Sequence, residues 1–281
     1  MVFSREQWYG SMGAVFVAAA SLVSVPFPLY AAEEGISVHL APYVLGHIGG
    51  LPITATLVTA WLTMLLLIAT AYVVGRRMTL IPGNMQSVFE LLIGGAYDYI
   101  ADVLESKERA RTYFPIIMTI FIFILAMNWL GLFPGVTSIG FFEGHGDEAH
   151  LVPLFYPPAA DLNITIAFAV IAFVTVEVAG VVAIGAWKYA GKFINFKSPL
   201  AFVIGLIELL SELARLVSFS FRLFGNIFAG KTLLLVVMFL ATPYILPVPL
   251  IAYEFFVGFI QAFIFAILTL YFIKLATEEP H

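Results

Sequence analysis

Apolar residues along this chain do not alternate with polar ones at a strand or surface-helix period; they gather in unbroken runs. The runs cover 52–75, 112–132, 161–187, 198–241 and 250–273, with a shorter one at 12–29. Lengths near or above the roughly 20 residues that cross about 30 Å of hydrocarbon, with few charges inside, predict spanning helices, because backbone in lipid must bond to itself. The run at 198–241 is far longer than a perpendicular crossing needs, so it must tilt steeply, bend or form a hairpin within the bilayer. Between the first two long runs, PGNMQSVFELLIGGAYDYIADVLESKERA places Gln86, Glu90, Asp98, Asp102 and Glu105 among apolar residues. That density of charge predicts a helix at the cytoplasmic interface rather than a sixth span.

Composition agrees with the pattern. The 281 residues are 62% hydrophobic and 11% charged, against roughly 45–50% apolar and about 25% charged in soluble domains. The fold class is therefore an all-α polytopic membrane protein of five to six membrane helices. Residues 41–281 read as a single membrane domain, and 1–40 as an N-terminal segment. In that segment the apolar run ends in PFPLYAAEE. A cleaved signal peptide and a retained helix fit it equally, because Glu6 offsets Arg5 and Leu29 is a poor residue two before Ala31. The net charge of -5 argues against nucleic acid as a partner, and the absence of cysteine excludes disulfides and thiolate metal sites.

Basic residues give the expected orientation. Arg76, Arg77, Lys107, Arg109 and Arg111 fall between the first two long runs, Lys188, Lys192 and Lys197 follow the third, and Lys274 follows the last. The loops 133–160 and 242–249 hold no Lys or Arg. The positive-inside rule puts the basic loops and the C-terminus in the cytoplasm and the loop with Glu143, Asp147 and Glu148 outside.

Charges inside the long run are the candidate chemistry, since ionisable groups in a bilayer usually face protein, water or a partner. Glu208, Glu212, Arg215, Arg222 and Lys231 all lie in 198–241. On a helix, Glu208, Ser211, Arg215, Ser218 and Asn226 fall within about 40° of Arg222, a stripe about 27 Å long. Such a seam suits a lined path or a surface for a charged partner more than a single helix-to-helix hydrogen bond. The Arg222 guanidinium cannot give up its proton, yet it can hold a nearby carboxylate ionised. Glu208 is about 21 Å away along the helix, and Glu212, about 15 Å away, sits about 80° off the stripe. The carboxylate that Arg222 serves is therefore expected on another helix or another subunit.

FRLFGNIFAG, which contains Arg222, resembles the signature of the a subunit of F-type ATP synthases, the stator channel facing the ring of c subunits. Four further stretches resemble the same family in order: PGNMQSVFE at 82–90, NWLGLFPG at 128–135, PPAADLNIT at 157–165 and GFIQAFIFAILTLYF at 258–272. The resemblance implies a long tilted helical hairpin, 198–241 with 250–273, along the c-ring, two aqueous half-channels, and coupling of proton flow to rotation and ATP synthesis. Arg222 would oppose the ring carboxylate and separate the half-channels. Asn226 and Gln261 match outer-side positions; Glu208, Ser211 and Ser218 match cytoplasmic-side ones, with Glu212 a further candidate. Where relatives carry an acid or histidine nine residues after the arginine this chain has Lys231, and seven before Gln261 it has Glu254. The two are expected to pair, either as a structural ion pair or as a proton relay at Glu254 tuned by Lys231. The implied partners are the c-ring, the b subunit stalk, the rest of the complex and lipid, in a bacterial inner membrane.

No Walker motif, nucleophile elbow or metal-binding helix motif occurs, so nucleotide chemistry on this chain, a cofactor and a metal are not expected. The loop FFEGHGDEAH reads as a solvated acidic loop rather than a metal site. Asp161 and Asn163 are expected to cap the third long run and line the outer mouth. Glu177 stands alone in that run, lining the outer half-channel or bonding a neighbouring helix. A secondary transporter would show repeated halves, and none occurs here.

Overall fold

The computed structural model describes residues 41–76, 83–133, 135–143, 150–193, 198–240 and 247–278. The N-terminal segment, Arg77, Lys197, and His145, Asp147 and Glu148 of the acidic loop lie outside the described residues.

The described residues form seven α-helices: α1 Ala55–Arg76, α2 Asn84–Leu104, α3 Lys107–Leu132, α4 Leu162–Ile184, α5 Ala186–Phe193, α6 Pro199–Leu240 and α7 Pro247–Thr277. Four of them, α1, α3, α4 and α7, are long and apolar enough to cross a membrane. α2, whose charges the sequence shows, is not among the four.

Capping residues fix where the helices begin. Ser106 accepts from the Arg109 amide at 3.3 Å to start α3, with Glu108 in its first turn. Asp161 accepts from the Asn163 amide at 2.9 Å to start α4. Each cap satisfies an amide that the helix itself leaves without a partner. The other oxygen of Asp161 accepts the Thr56 hydroxyl at 2.7 Å, and the Thr59 hydroxyl oxygen accepts the Tyr156 amide at 3.0 Å. These bonds tie the first turns of α1 to the entrance of α4.

The same end of the molecule carries two short antiparallel hairpins that the apolar pattern does not announce. β1 Val44–Ile48 pairs with β2 Leu51–Thr54, and β3 Gly140–Glu143 pairs with β4 His150–Pro153. Strands of four or five residues are too short to set up a readable alternation. The all-α reading thus holds for the membrane part and is completed by these hairpins.

The core lies where α3, α4, α6 and α7 meet. Ile124 and Met127 of α3, Ala169 and Ala172 of α4, Phe219, Leu223 and Ile227 of α6, and Ala262 and Phe265 of α7 form one buried cluster. Small residues on α4 and α7 let the helices approach closely, as expected where lipid removes the hydrophobic drive between helices. A second cluster, nearer the basic loops, joins Ile100 and Leu104 of α2 to Ile117, Val176, Tyr189, Leu270 and Ile273. The outward faces stay apolar: Trp61, Leu65, Ile68, Val182, Ile207, Leu210 and Phe221 are all exposed. That distribution suits a lipid-facing surface.

α6 is continuous over its 42 residues, a length of about 63 Å at 1.5 Å per residue, roughly twice the hydrocarbon thickness. It packs antiparallel to α7. Phe219 stacks on Phe265 at 4.8 Å, Arg215 lies over the Phe272 ring at 4.6 Å, and Gly230 sits against Glu254. The long hairpin expected from the sequence is therefore present, made of one unbroken helix and its successor.

Candidate functional site

Arg222 occupies the middle of α6, partly exposed, beside the buried face formed by Phe219, Leu223 and Ile227. Its guanidinium donates to Ser218 Oγ at 3.2 Å, one turn back. Among the described residues it has no ion-pair partner. Neither Glu208 nor Glu212 neutralises it. The contacts Phe219 with Phe265 and Gly230 with Glu254 have the same spacing on both helices, which brings Gln261 level with Leu223, next to Arg222. Gln261 is buried, and Asn226 is half-buried one turn beyond the arginine.

Toward the hairpin end, Lys231 and Glu254 do not form the ion pair that their types suggest. The Lys231 ammonium sits over the Tyr156 ring, 3.5 Å from its centroid, a cation–π contact with the segment leading into α4. Glu254 is 3% exposed, and its Oε2 has no hydrogen-bond partner among the described residues. The reason is geometric. The Glu254 carboxylate lies against Gly230, where an added methyl would overlap it, so it packs on the α6 backbone one residue short of Lys231.

Toward the basic loops, Glu208 and Glu212 are held by two cations, one of which, Lys192, spacing on α6 alone does not reveal. Lys192 of α5 approaches Glu208 at 2.7 Å and Glu212 at 3.4 Å. Arg215 bonds Glu212 at 2.8 Å and reaches Glu208 at 3.9 Å. Arg215 thus leaves the seam to serve these acids, while Ser211 and Ser218 remain on it. Glu212, off the stripe as its angle implies, is the most buried of the group at 3%. Its two cations provide the compensation that a buried carboxylate requires.

Glu177 of α4 belongs to this end and not to the end that carries the two hairpins. It faces Tyr189 of α5 and feels the charges of Glu212, Lys192 and Arg215. Burial, followed by the neighbouring Glu177 charge, raises the Tyr189 hydroxyl's pKa, so it remains protonated. Sequence reasoning missed Lys192 and Tyr189 as site residues because α5 is a short helix in a basic loop. Its only signal was a second basic residue four positions after Lys188.

Trp129 Nε1 donates to the Phe255 carbonyl at 3.1 Å and Asn128 Nδ2 to the Gly258 carbonyl at 3.1 Å, so the NWLGLFPG stretch clamps α3 to the first half of α7. Among the described residues, no group of three His, Asp or Glu side chains is placed to hold a metal ion.

A polytopic helical membrane protein with an ionisable seam along one long helix is the class that this architecture defines. Residues 57–274 match the family described as the ATP synthase A chain. ATP synthase subunit a of Moorella thermoacetica is 34% identical over 235 residues, 84% of this chain and 96% of that protein. ATP synthase subunit a 3 of Pelobacter propionicus is 33% identical over 79% of this chain and 86% of its own length, and subunit a of Geobacter sulfurreducens 32% over the same shares. The chain belongs to the ATP synthase a-subunit family.

Proposed function

We propose that this chain is the stationary half of a rotary proton path, supplying two aqueous half-channels against a c-ring and coupling ion flow to ATP synthesis. The observation that carries the reading is Arg222. It is a permanent charge in mid-helix, bonded among the described residues only to a serine hydroxyl, and level with a buried glutamine. A guanidinium so placed favours an ionised carboxylate brought to it from outside the chain, and it cannot relay a proton past itself.

In this reading the outer half-channel runs by Asn226, Glu254 and Gln261, with Lys231 beside it on Tyr156. The inner one runs by Ser218, Ser211, Glu208 and Glu212. A proton arriving from outside neutralises a ring carboxylate, whose charged form is expensive to expose to lipid. After rotation the carboxyl loses that proton into the inner half-channel and is drawn to Arg222 as an anion. The membrane potential supplies about 2.3 kcal/mol per charge per 100 mV. The chain would sit in a bacterial inner membrane with its C-terminus cytoplasmic, held by the b stalk and the rest of the complex.

ATP-driven proton pumping in vesicles carrying the assembled complex tests this. With Arg222→Ala, pumping vanishes while ATP hydrolysis by the soluble head persists. Undiminished pumping in that variant would make the seam structural and end the reading.

A further inference from the structure

Among the described residues, the ionisable groups where α4, α5 and α6 meet do not balance. Three carboxyls, Glu177, Glu208 and Glu212, face two fixed cations, Lys192 and Arg215, and both cations are engaged by Glu208 and Glu212. Among the described residues, Glu177 makes no ion pair. Its Oε1 is buried without a hydrogen-bond partner, and so is the hydroxyl of Tyr189, which faces it. Tyr189 itself is only 5% exposed. The α4 backbone makes room for it: a methyl at Gly180 would overlap the Tyr189 ring.

Between α4, α6 and α7 lies a narrow, partly open cleft with room for about one water, lined by Phe173, Val176, Phe219 and Phe272 together with Glu212 and Arg215. The Glu177 carboxyl and the Tyr189 hydroxyl face one another, each with a buried polar atom that lacks a partner of good geometry, an arrangement that one proton or one water completes. A cluster with one carboxyl more than its cations holds all three ionised only at high electrostatic cost, so the unpaired member is the natural proton carrier.

We propose that Glu177 is a proton-carrying station of the inner half-channel, with Tyr189 as its positioning residue. The inference rests on the rotary reading above. During synthesis one Glu177 carboxylate oxygen accepts the proton released by the ring carboxyl, by way of water in the cleft. It passes the same proton to water at the basic end, which restores the carboxylate for the next cycle; pumping runs the same transfers backward. Tyr189 keeps its own proton and orients the carboxyl through its hydroxyl. Glu208 and Glu212, each held by cations, set the field in which Glu177 titrates.

The test uses the assembled complex in inverted vesicles and in vesicles stripped of the soluble head. Glu177→Gln is expected to lower both ATP-driven pumping and passive proton conductance by roughly tenfold. Glu177→Asp is expected to keep conductance with a displaced dependence on the pH of the basic side, and Tyr189→Phe to displace that dependence without abolishing flow. Difference infrared spectra of the purified complex should lose a protonated-carboxyl band in Glu177→Gln. If Glu177→Gln retains native conductance, native pH profile and the full carboxyl band while Arg222→Ala abolishes pumping, the inference on Glu177 is overturned and the rotary reading stands. If Arg222→Ala also pumps normally, the rotary reading itself falls. If Glu177→Gln does not assemble, the pH profiles of Glu177→Asp and Tyr189→Phe decide, and native profiles in both overturn the proposal.

Discussion

Gly230 of α6 lies against the carboxylate of Glu254 on α7, with no room between them for a single added methyl group. The glycine is what lets a buried acid settle on the opposite helix's backbone. Gly230→Ala should therefore destabilise the hairpin by about 1–3 kcal/mol, the usual range for forcing a methylene into a packed interior. Combining it with Glu254→Ala should recover most of the loss, because the second change removes the group in collision. The thermal midpoint of the solubilised complex, measured for both single variants and the double, gives the coupling. Additive losses would show that the two residues do not meet.

Glu212 and Glu208 share cations but not environments, and their neutral variants should separate accordingly. Glu212→Gln takes from Arg215 its close carboxylate and leaves it only Glu208 at 3.9 Å, while Lys192 keeps Glu208; weakening a buried pair in this way should cost up to about 3 kcal/mol, the lower end of measured cases for full removal. Glu208, with its side chain 31% exposed, should lose no more than about 1 kcal/mol as Gln. Thermal denaturation of the complex in low salt ranks the two. Equal losses would mean that burial does not set the difference.

Much of this architecture is legible in the apolar runs, because in lipid a long uncharged stretch has few options besides a helix. The long element at 198–241 and the seam through Ser218, Arg222 and Asn226 follow from length and angle on one helix. What periodicity cannot carry is contact between elements. Lys192 meets Glu208 only because α4 ends at Ile184 and α5 turns back along α6. Glu254 misses Lys231 by one residue because Gly230 offers the nearer surface. Side-chain type suggested an ion pair there; backbone clearance decided otherwise. The two hairpins escaped notice because their strands are short and are fixed by the loop ends they join.

At the end of the molecule that holds the basic loops, Lys274 of α7 reaches Glu105 at the C-terminus of α2, 2.7 Å away. Hydrogen bonding to Lys274 and then its charge hold the Glu105 carboxyl below the usual carboxylate range. A carboxyl lowered in the folded state contributes stability present above its unfolded pKa and lost as pH falls through the lowered folded value. Protection of the α2 C-terminus against proteolysis should accordingly weaken under acid conditions, and Lys274→Met should remove that acid dependence at this site. The bridge is exposed, so raised salt should mimic part of the effect. Unaltered acid sensitivity in Lys274→Met would assign it to another group.

Lys231 offers the clearest contrast between a residue's charge and its packing. Its ammonium rests on the Tyr156 face, and among the described residues it has no carboxylate in an ion pair, so its long stem fills space between α6 and the entrance to α4 while the ring supplies the attraction. Replacing a buried charge with an apolar chain of similar shape is often neutral or stabilising. Lys231→Met should thus leave the thermal midpoint of the complex unchanged or raised, whereas Lys231→Ala should lower it by roughly 2 kcal/mol through the cavity left behind. Tyr156→Leu should lose about 1–2 kcal/mol because it removes the aromatic partner of a desolvated cation. Were Lys231 instead the counter-ion of Glu254, Lys231→Met would strand that carboxylate and destabilise by at least as much as Lys231→Ala. The order of the two midpoints therefore tells a packed cation from a paired one.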